Sequence, residues 1–350
     1  MKKYFVLFAA LLMVGAANVA TAAVEYTSEA AVQANADDWA DYQAQGEYLF
    51  QKGDMRFAVQ VIARGAGKFE LVGYPGGFPG EGWIAKKVKV FYSGTREGNV
   101  VTMPCTGFQM GAESENILPV PEGKVGSKAV LYIAEKRIDF VAPDGGTRSA
   151  NKIDRPNSAL GTAAPEGAFV VFDGKTINLK DGYRLNEEAG TVWSEFCSKP
   201  FEPNKAYRLH VEFQLSYMPY SSSQGRSNSG VYVAEAYECQ VLDSFGLVGR
   251  NNECSGFYQQ AAPLFNACRA PLTWQAYDID YTPAQWDNGQ KTANAHMTVY
   301  LNGLKVQDNV ELKNQTPGRF GEPKADEARG VYCQGHGNKV QYRNIWVQYK

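Results

Sequence analysis

The chain consists mostly of short runs in which apolar and polar positions alternate, separated by glycine-rich turns. Phe57–Ile62, Lys68–Val72, Val88–Tyr92 and Ile138–Val141 are β-branched or aromatic and too short for helices, so each reads as a strand. Only Ala31–Gln45 carries a weak helical period. The second half repeats the strand pattern in Ala168–Phe172, Tyr207–Leu215, Gly230–Val233, Tyr237–Leu242, Trp274–Tyr281, His296–Leu301, Gly330–Gln334 and Val340–Tyr349. Asn302-Gly303 follows one of them as a hairpin turn, because both residues accept positive φ. So many half-apolar strands need a second layer, which predicts an all-β chain whose second half is a two-sheet sandwich of jelly-roll type. Between Asp144 and Gly167 the hydrophobic period stops and Gly, Pro, Ser and Asn accumulate. A linker at 146–165 is therefore expected between a smaller β-rich domain at 23–145 and the sandwich at 166–350.

Alternation also assigns faces. In Asn228–Val233 and Tyr237–Leu242 it puts Asn228, Tyr232, Glu238 and Gln240 on one polar sheet surface. An amide, a phenol, a carboxylate and a second amide can bind a polyol and handle a proton, which makes this surface the candidate site. In Gly330–His336 the same parity adds Tyr332, Gln334 and His336. The parity of the last strand changes between Tyr342 and Ile345, so a β-bulge near Arg343-Asn344 is expected to aim Arg343 at the site. Tyr232, Trp274 and Tyr332 are a candidate stacking platform for a sugar, with core packing as the alternative. Arg343 has a structural alternative as an ion pair with Glu238, and His336 as a hydrogen bond to backbone. His210 and His296 read as ordinary strand residues, Asp278 and Asp280 as solubilising ones, and the Tyr74–Trp83 loop as a surface loop without a catalytic role.

Charge and cysteines narrow the classes. A formal net charge of −2 over 350 residues gives no electrostatic reason to expect nucleic acid or an anionic membrane as partner, and a neutral ligand fits better. Lys2-Lys3, the apolar run Tyr4–Ala17 and Ala20-Thr21-Ala22 form a signal-peptide pattern over 1–22, so the mature chain is expected to begin near Ala23, periplasmic or secreted. No later run approaches the ~20 apolar residues of a spanning helix. Six cysteines are few for this length. Cys254 and Cys268 flank a Gly- and Pro-containing loop and are the expected disulfide, worth ~3 kcal/mol if the geometry allows, whereas Cys239 and Cys333 read as buried thiols.

Taken together, Asn228–Tyr232, Tyr237–Asp243, Trp274–Asp278, the Asn302-Gly303 hairpin, Gln334–Asn338 and Tyr342–Ile345 resemble the 3-keto-disaccharide hydrolase (DUF1080) domain family in order and spacing. The resemblance covers roughly Ala168 to Lys350, and the Asn252–Cys254 and Tyr258–Asn266 segments resemble a longer form with an N-terminal β domain. Gly335 stands where many relatives have Asp, and the usual Trp after Phe172–Lys175 is missing. The resemblance implies a concanavalin-like jelly roll, exported, that cleaves glycosides whose sugar is already a ketone at C3.

Such a ketone acidifies the C2 proton, and the group on C1 can then leave by β-elimination, with water addition completing a net hydrolysis. This chemistry needs a base at C2, an electrophile at the C3 oxygen and a donor for the leaving oxygen. His336 is the first choice of base, because its ordinary pKa of about 6.5 suits neutral pH, and Glu238 is the competitor. Arg343, Asn228 or Gln240 is expected to stabilise the enolate, Asp243 to serve the leaving group, and Tyr232, Trp274, Tyr332 and Gln334 to hold substrate. No cofactor is demanded by the spacing, and a divalent ion held by Glu238, Asp243 or His336 with sugar oxygens stays open. Two other classes remain: a conventional glycosidase using Glu238 and Asp243, and a non-catalytic lectin-like module.

Overall fold

The structure, a computed structural model, is described over residues 23–83, 88–110, 117–318 and 320–350. The expected leader at 1–22 lies outside the described residues.

Eight antiparallel strands close the first half into an up-and-down barrel: β1 Gly46–Lys52, β2 Met55–Ala63, β3 Lys68–Pro75, β4 Val88–Glu97, β5 Val100–Met110, β6 Lys128–Tyr132, β7 Arg137–Val141 and β8 Thr147–Ile153. The last strand falls inside the expected linker. Its residues Thr147–Asn151 pair with β7, and Asn151–Ile153 pair with β1, so this polar stretch closes the barrel. Backbone pairing suffices there because the exposed side chains need no apolar partner; only Ala150 is buried.

The expected single helix is two, α1 Glu29–Gln33 and α2 Ala36–Ala44. Asn35 breaks the run and caps α2, its Oδ1 accepting from Asp38 N at 3.1 Å. Val32 and Ala44 join the barrel core with Val59, Val61, Leu71, Val101 and Leu131, so the helices stopper one end of the barrel.

The second half is a sandwich. Its larger sheet contains β9 Phe169–Phe172, β10 Arg184–Asn186, β11 Thr191–Trp193, β13 Tyr207–Gln214, β16 Trp274–Thr282, β17 Ala295–Leu301, β18 Leu304–Leu312 and β20 Gln341–Tyr349. The smaller, four-stranded sheet has the order β12 Phe196–Cys197, β19 Tyr332–Cys333, β14 Asn228–Val233 and β15 Tyr237–Leu242. Leu209, Val211, Phe213, Tyr277, Ile279 and Val347 of the larger sheet share one core with Val231, Val233, Cys239, Val241 and Cys333 of the smaller. The Asn302-Gly303 hairpin forms as expected, with φ of 55° and 80°. The bulge also forms: Glu212 faces Arg343 and His210 faces Trp346, two steps on β13 against three on β20.

Barrel and sandwich meet at a small apolar cluster of Ala58, Ile62, Val72, Tyr74, Phe78, Trp83 and Phe245. The aromatic side chains of the Tyr74–Trp83 loop, Tyr74, Phe78 and Trp83, are thus buried between the two halves, while its tip at Gly80 and Gly82 lies on the surface as expected. Gly80 approaches Phe265 so closely that an added Cβ would sit 2.5 Å from its ring.

Candidate active site

Every residue of β14 and β15 is buried, although only the odd positions face the sandwich core. The even positions, Asn228, Gly230, Tyr232, Glu238 and Gln240, lie on the outer face and are covered by loops. The short 3-10 turn Ser223–Gly225 brings Gln224 over one end. Its carbonyl accepts from Asn228 Nδ2 at 2.8 Å, and its Oε1 accepts from Gln240 Nε2 at 3.2 Å. At the other end Tyr232 OH lies 3.0 Å from both Glu238 Oε2 and Pro317 O. Thr316 Oγ1 accepts from Glu238 N at 2.9 Å, and Gln334 Nε2 donates to Tyr232 OH at 3.3 Å.

Gly230 explains how the carboxylate fits. A Cβ on Gly230 would lie 2.2 Å from Glu238 Oε1, so the side chain of Glu238 rests across the neighbouring strand where only glycine leaves room. Removal from water pushes the Glu238 carboxyl up to about 7, against the weaker opposing pull of the Tyr232 hydrogen bond. Burial and the adjacent carboxylate drive the Tyr232 phenol far up as well, so it stays protonated and is a donor. Asn228 Oδ1 is buried without a hydrogen-bond partner among the described residues, an acceptor left for something that enters the site.

The expected constellation therefore divides. Asn228, Tyr232, Glu238, Gln240, Tyr332 and Gln334 come together, with the rings of Tyr232 and Tyr332 at 5.6 Å. His336 is exposed on the loop between Gln334 and Asn338, whose Oδ1 accepts from Asn228 N at 2.8 Å, and so it stands at the rim.

Arg343 does not join. The bulge turns it to the outer face of the larger sheet, where its Nε donates to Glu212 Oε2 at 2.8 Å and its guanidinium lies 4.0 Å over the Trp274 ring. Trp274 is thereby separated from the tyrosine pair by the thickness of the sandwich. Asp243 is bound in a buried ion pair, Arg226 Nε to Oδ2 at 2.6 Å, and also accepts from Phe245 N, so both its oxygens are already engaged. Glu238, Asp243 and His336 consequently form no ligand set. No group of three or more His, Cys, Asp or Glu side chains suited to a metal ion is gathered among the described residues.

The Cys254–Cys268 bridge is not formed. Both are buried thiols: Cys254 Sγ lies 3.2 Å from Tyr277 OH, and Cys268 Sγ is directed at the carbonyls of Leu242 and Arg269.

Residues 146–348 match the family model described as the 3-keto-alpha-glucoside-1,2-lyase-like domain. The chain belongs to that family. A protein from Parabacteroides distasonis provisionally assigned as a glycosyl hydrolase is 27% identical, over 53% of this chain and 85% of its own, with a TM-score of 0.45. A second such protein from that organism is 15% identical over 52% of this chain and 93% of its own, with a TM-score of 0.34. No curated protein matches the chain. Membership of the lyase-like family makes the sandwich a carbohydrate-active domain.

Reading the sequence missed Gln224, Thr316 and Pro317, which reach the site from loops and carry no local signal. It also missed a second polar cluster, on the larger sheet. His210 Nδ1 lies 2.9 Å from Asp278 Oδ1, its Nε2 lies 3.6 Å from Glu212, and its ring stacks on Trp346 at 5.0 Å. The segment after the barrel is pinned over this cluster: Gly161 N donates to Glu212 Oε1 at 2.6 Å, while Asn344 and Trp346 donate to Thr162 O.

Proposed function

We propose that the domain cleaves 3-keto-glycosides by C2 deprotonation and β-elimination, with Glu238 as the base. The observation that carries this reading is the buried Glu238 carboxyl, raised to about 7 and held beside a phenol donor. A base with a pKa near the working pH combines a usable ionised fraction with proton affinity. Ionised Glu238 takes the C2 proton, the electron pair moves into the C2–C3 bond and onto the C3 oxygen, and an enolate forms. The side-chain amides of Gln240 and Gln334 supply N–H donors for that oxygen. As the enolate collapses, C1–C2 becomes a double bond and the C1–O bond breaks. Its electron pair leaves with the aglycone oxygen, which Tyr232 protonates. Water added at C1, with a proton returned to C2, gives the free 3-keto sugar.

The pair of hydrogen bonds at Tyr232 OH supports a proton-handling role. With Glu238 ionised the phenol donates to the carboxylate; with Glu238 protonated it can turn to Pro317 O, 3.0 Å away. A conventional glycosidase is less well supported, because the partner carboxylate it needs, Asp243, is held by Arg226. Export belongs to the same proposal and rests on the basic and apolar pattern of 1–22; N-terminal sequencing of protein recovered outside the cytoplasm should begin at Ala23.

The deciding experiment incubates the mature protein with a 3-keto-glucoside and its unoxidised parent, with and without chelator, and follows aglycone release. Release from the ketone alone supports elimination. Release from the parent would favour a conventional glycosidase, and binding without release from either would favour a lectin-like module.

A further inference from the structure

The two ends of the barrel differ. At one end the helices close it, with Tyr48 OH donating to Ala44 O at 2.7 Å. Among the described residues the other end opens into a cavity of about 890 Å³ lined by the rings of Phe50, Phe57, Tyr92, Phe108 and Phe140. Phe57 and Tyr92 both set their rings edge-on against Phe140, at 5.2 and 5.7 Å, and so build its floor. Eight strands are the size at which a barrel either fills its interior or holds one small ligand. This barrel does the first near the helices and leaves room for the second at its mouth. The volume lies in the roughly 300–1,000 Å³ range of small-molecule sites.

Two independent features describe what the mouth would take. Four of the eight exposed large apolar side chains among the described residues surround it: Met55, Ile117, Leu118 and Val125. Met55 lines the cavity, Leu118 bridges to Phe108, Ile117 packs over Gly107, and Val125 follows the lining residue Lys124. The charge is mainly positive, three basic side chains against one acid. Arg56, Lys124 and Arg148 line the mouth, and none of them is in an ion pair among the described residues. The acid lining it, Asp144, accepts from Gly146 N in its own turn. Arg56 Nε is buried without a hydrogen-bond partner among the described residues.

We propose that the open end of the barrel is a second binding site, separate from the sandwich, for a small amphiphilic anion. Its aliphatic or aromatic body lies among the phenylalanine rings and its carboxylate meets Arg56. Removal of the apolar body from water drives binding, and the unpaired guanidinium selects the anion over a neutral head.

The test titrates the full mature chain with 11-(dansylamino)undecanoic acid, followed by dansyl fluorescence, and then displaces the probe with dodecanoate or dodecanol. We expect saturable one-to-one binding, with dodecanoate displacing about tenfold better than dodecanol, and that preference lost in Arg56→Gln. Cys105→Trp, which fills the mouth from a half-buried lining position, should abolish binding; Val90→Trp replaces it if that variant fails to fold. Glu238→Gln should bind the probe as the wild type does, which keeps this site distinct from the sandwich. Absence of saturable binding, binding that survives the filled mouth, or equal displacement by acid and alcohol would each overturn the proposal.

Discussion

Each outer face of the sandwich buries a glutamate, and the two are driven in opposite directions. Glu238, on the smaller sheet, is desolvated next to a phenol and has no ion pair among the described residues, so its carboxyl rises to about 7. Glu212, on the larger sheet, is also desolvated. Hydrogen bonds from His210, Asn344, Arg343 and Gly161 N outweigh that burial and hold it at about 2. His210 gains in turn: burial lowers its pKa, but Asp278 and Glu212 more than compensate and raise it. Burial alone therefore does not select the reactive carboxylate; the partners do. A glutamate with cationic and amide donors is a tie between strands and the overlying segment, whereas one left with a single neutral donor is ready to accept a proton.

Exchanging the two glutamates one at a time is the largest test of that contrast. Glu238→Gln should lower aglycone release about 10²–10⁴-fold, whereas Glu212→Gln should leave kcat within a few-fold in whatever fraction stays folded. Gly230→Ala approaches the same point from the neighbouring strand. Its methyl group would displace the Glu238 carboxylate, so activity should fall about 100-fold or more while the melting temperature moves little. Equal losses in Glu238→Gln and Glu212→Gln would end the comparison.

Stability should show the reverse order. Glu212→Ala leaves Gly161 N, Asn344 and Arg343 without their shared acceptor and should cost about 1–3 kcal/mol in urea unfolding, with faster proteolysis between Pro156 and Thr162. The pH dependence sharpens the same point. The raised pKa of Glu238 means the folded state binds its proton more tightly than the unfolded state. Its contribution is fully present below about pH 4.5, declines as pH rises, and is lost by about pH 7. Between pH 4 and pH 8, Glu238→Gln should therefore gain about 3 kcal/mol of stability relative to the wild type. Glu212, lowered to about 2, contributes in the opposite sense: its stabilisation is present above about pH 4.5 and is lost as pH falls through 2. In the wild type, kcat/KM should rise with pH through an apparent value near 7.

The smallest expected effect belongs to His336. Because it stands exposed at the rim, His336→Ala should change kcat/KM by less than about tenfold, well short of the loss from removing a positioned base. A larger fall would return the role of base to the histidine.

Alternation by itself determined which side chains share a face of one strand. That is a local property of the pleat, and it placed Asn228, Tyr232, Glu238, Gln240, Tyr332 and Gln334 on the outer surface of one sheet. It also located the bulge at Arg343-Asn344 and the Asn302-Gly303 turn, both of which depend on a few neighbouring residues. The glycine at 230, inside a strand, carries a local sign of close approach that the reading of faces did not use. Which sheet each strand joins was decided by pairing between segments far apart in the chain. That pairing sent Arg343 to Glu212 across 131 positions and put His210 beside Asp278. It likewise bound Asp243 to Arg226 and recruited the polar run Thr147–Ile153 into the barrel. The pKa of Glu238 belongs to the same class, because desolvation is set by the loops that cover a face, and nothing in the strand itself records them.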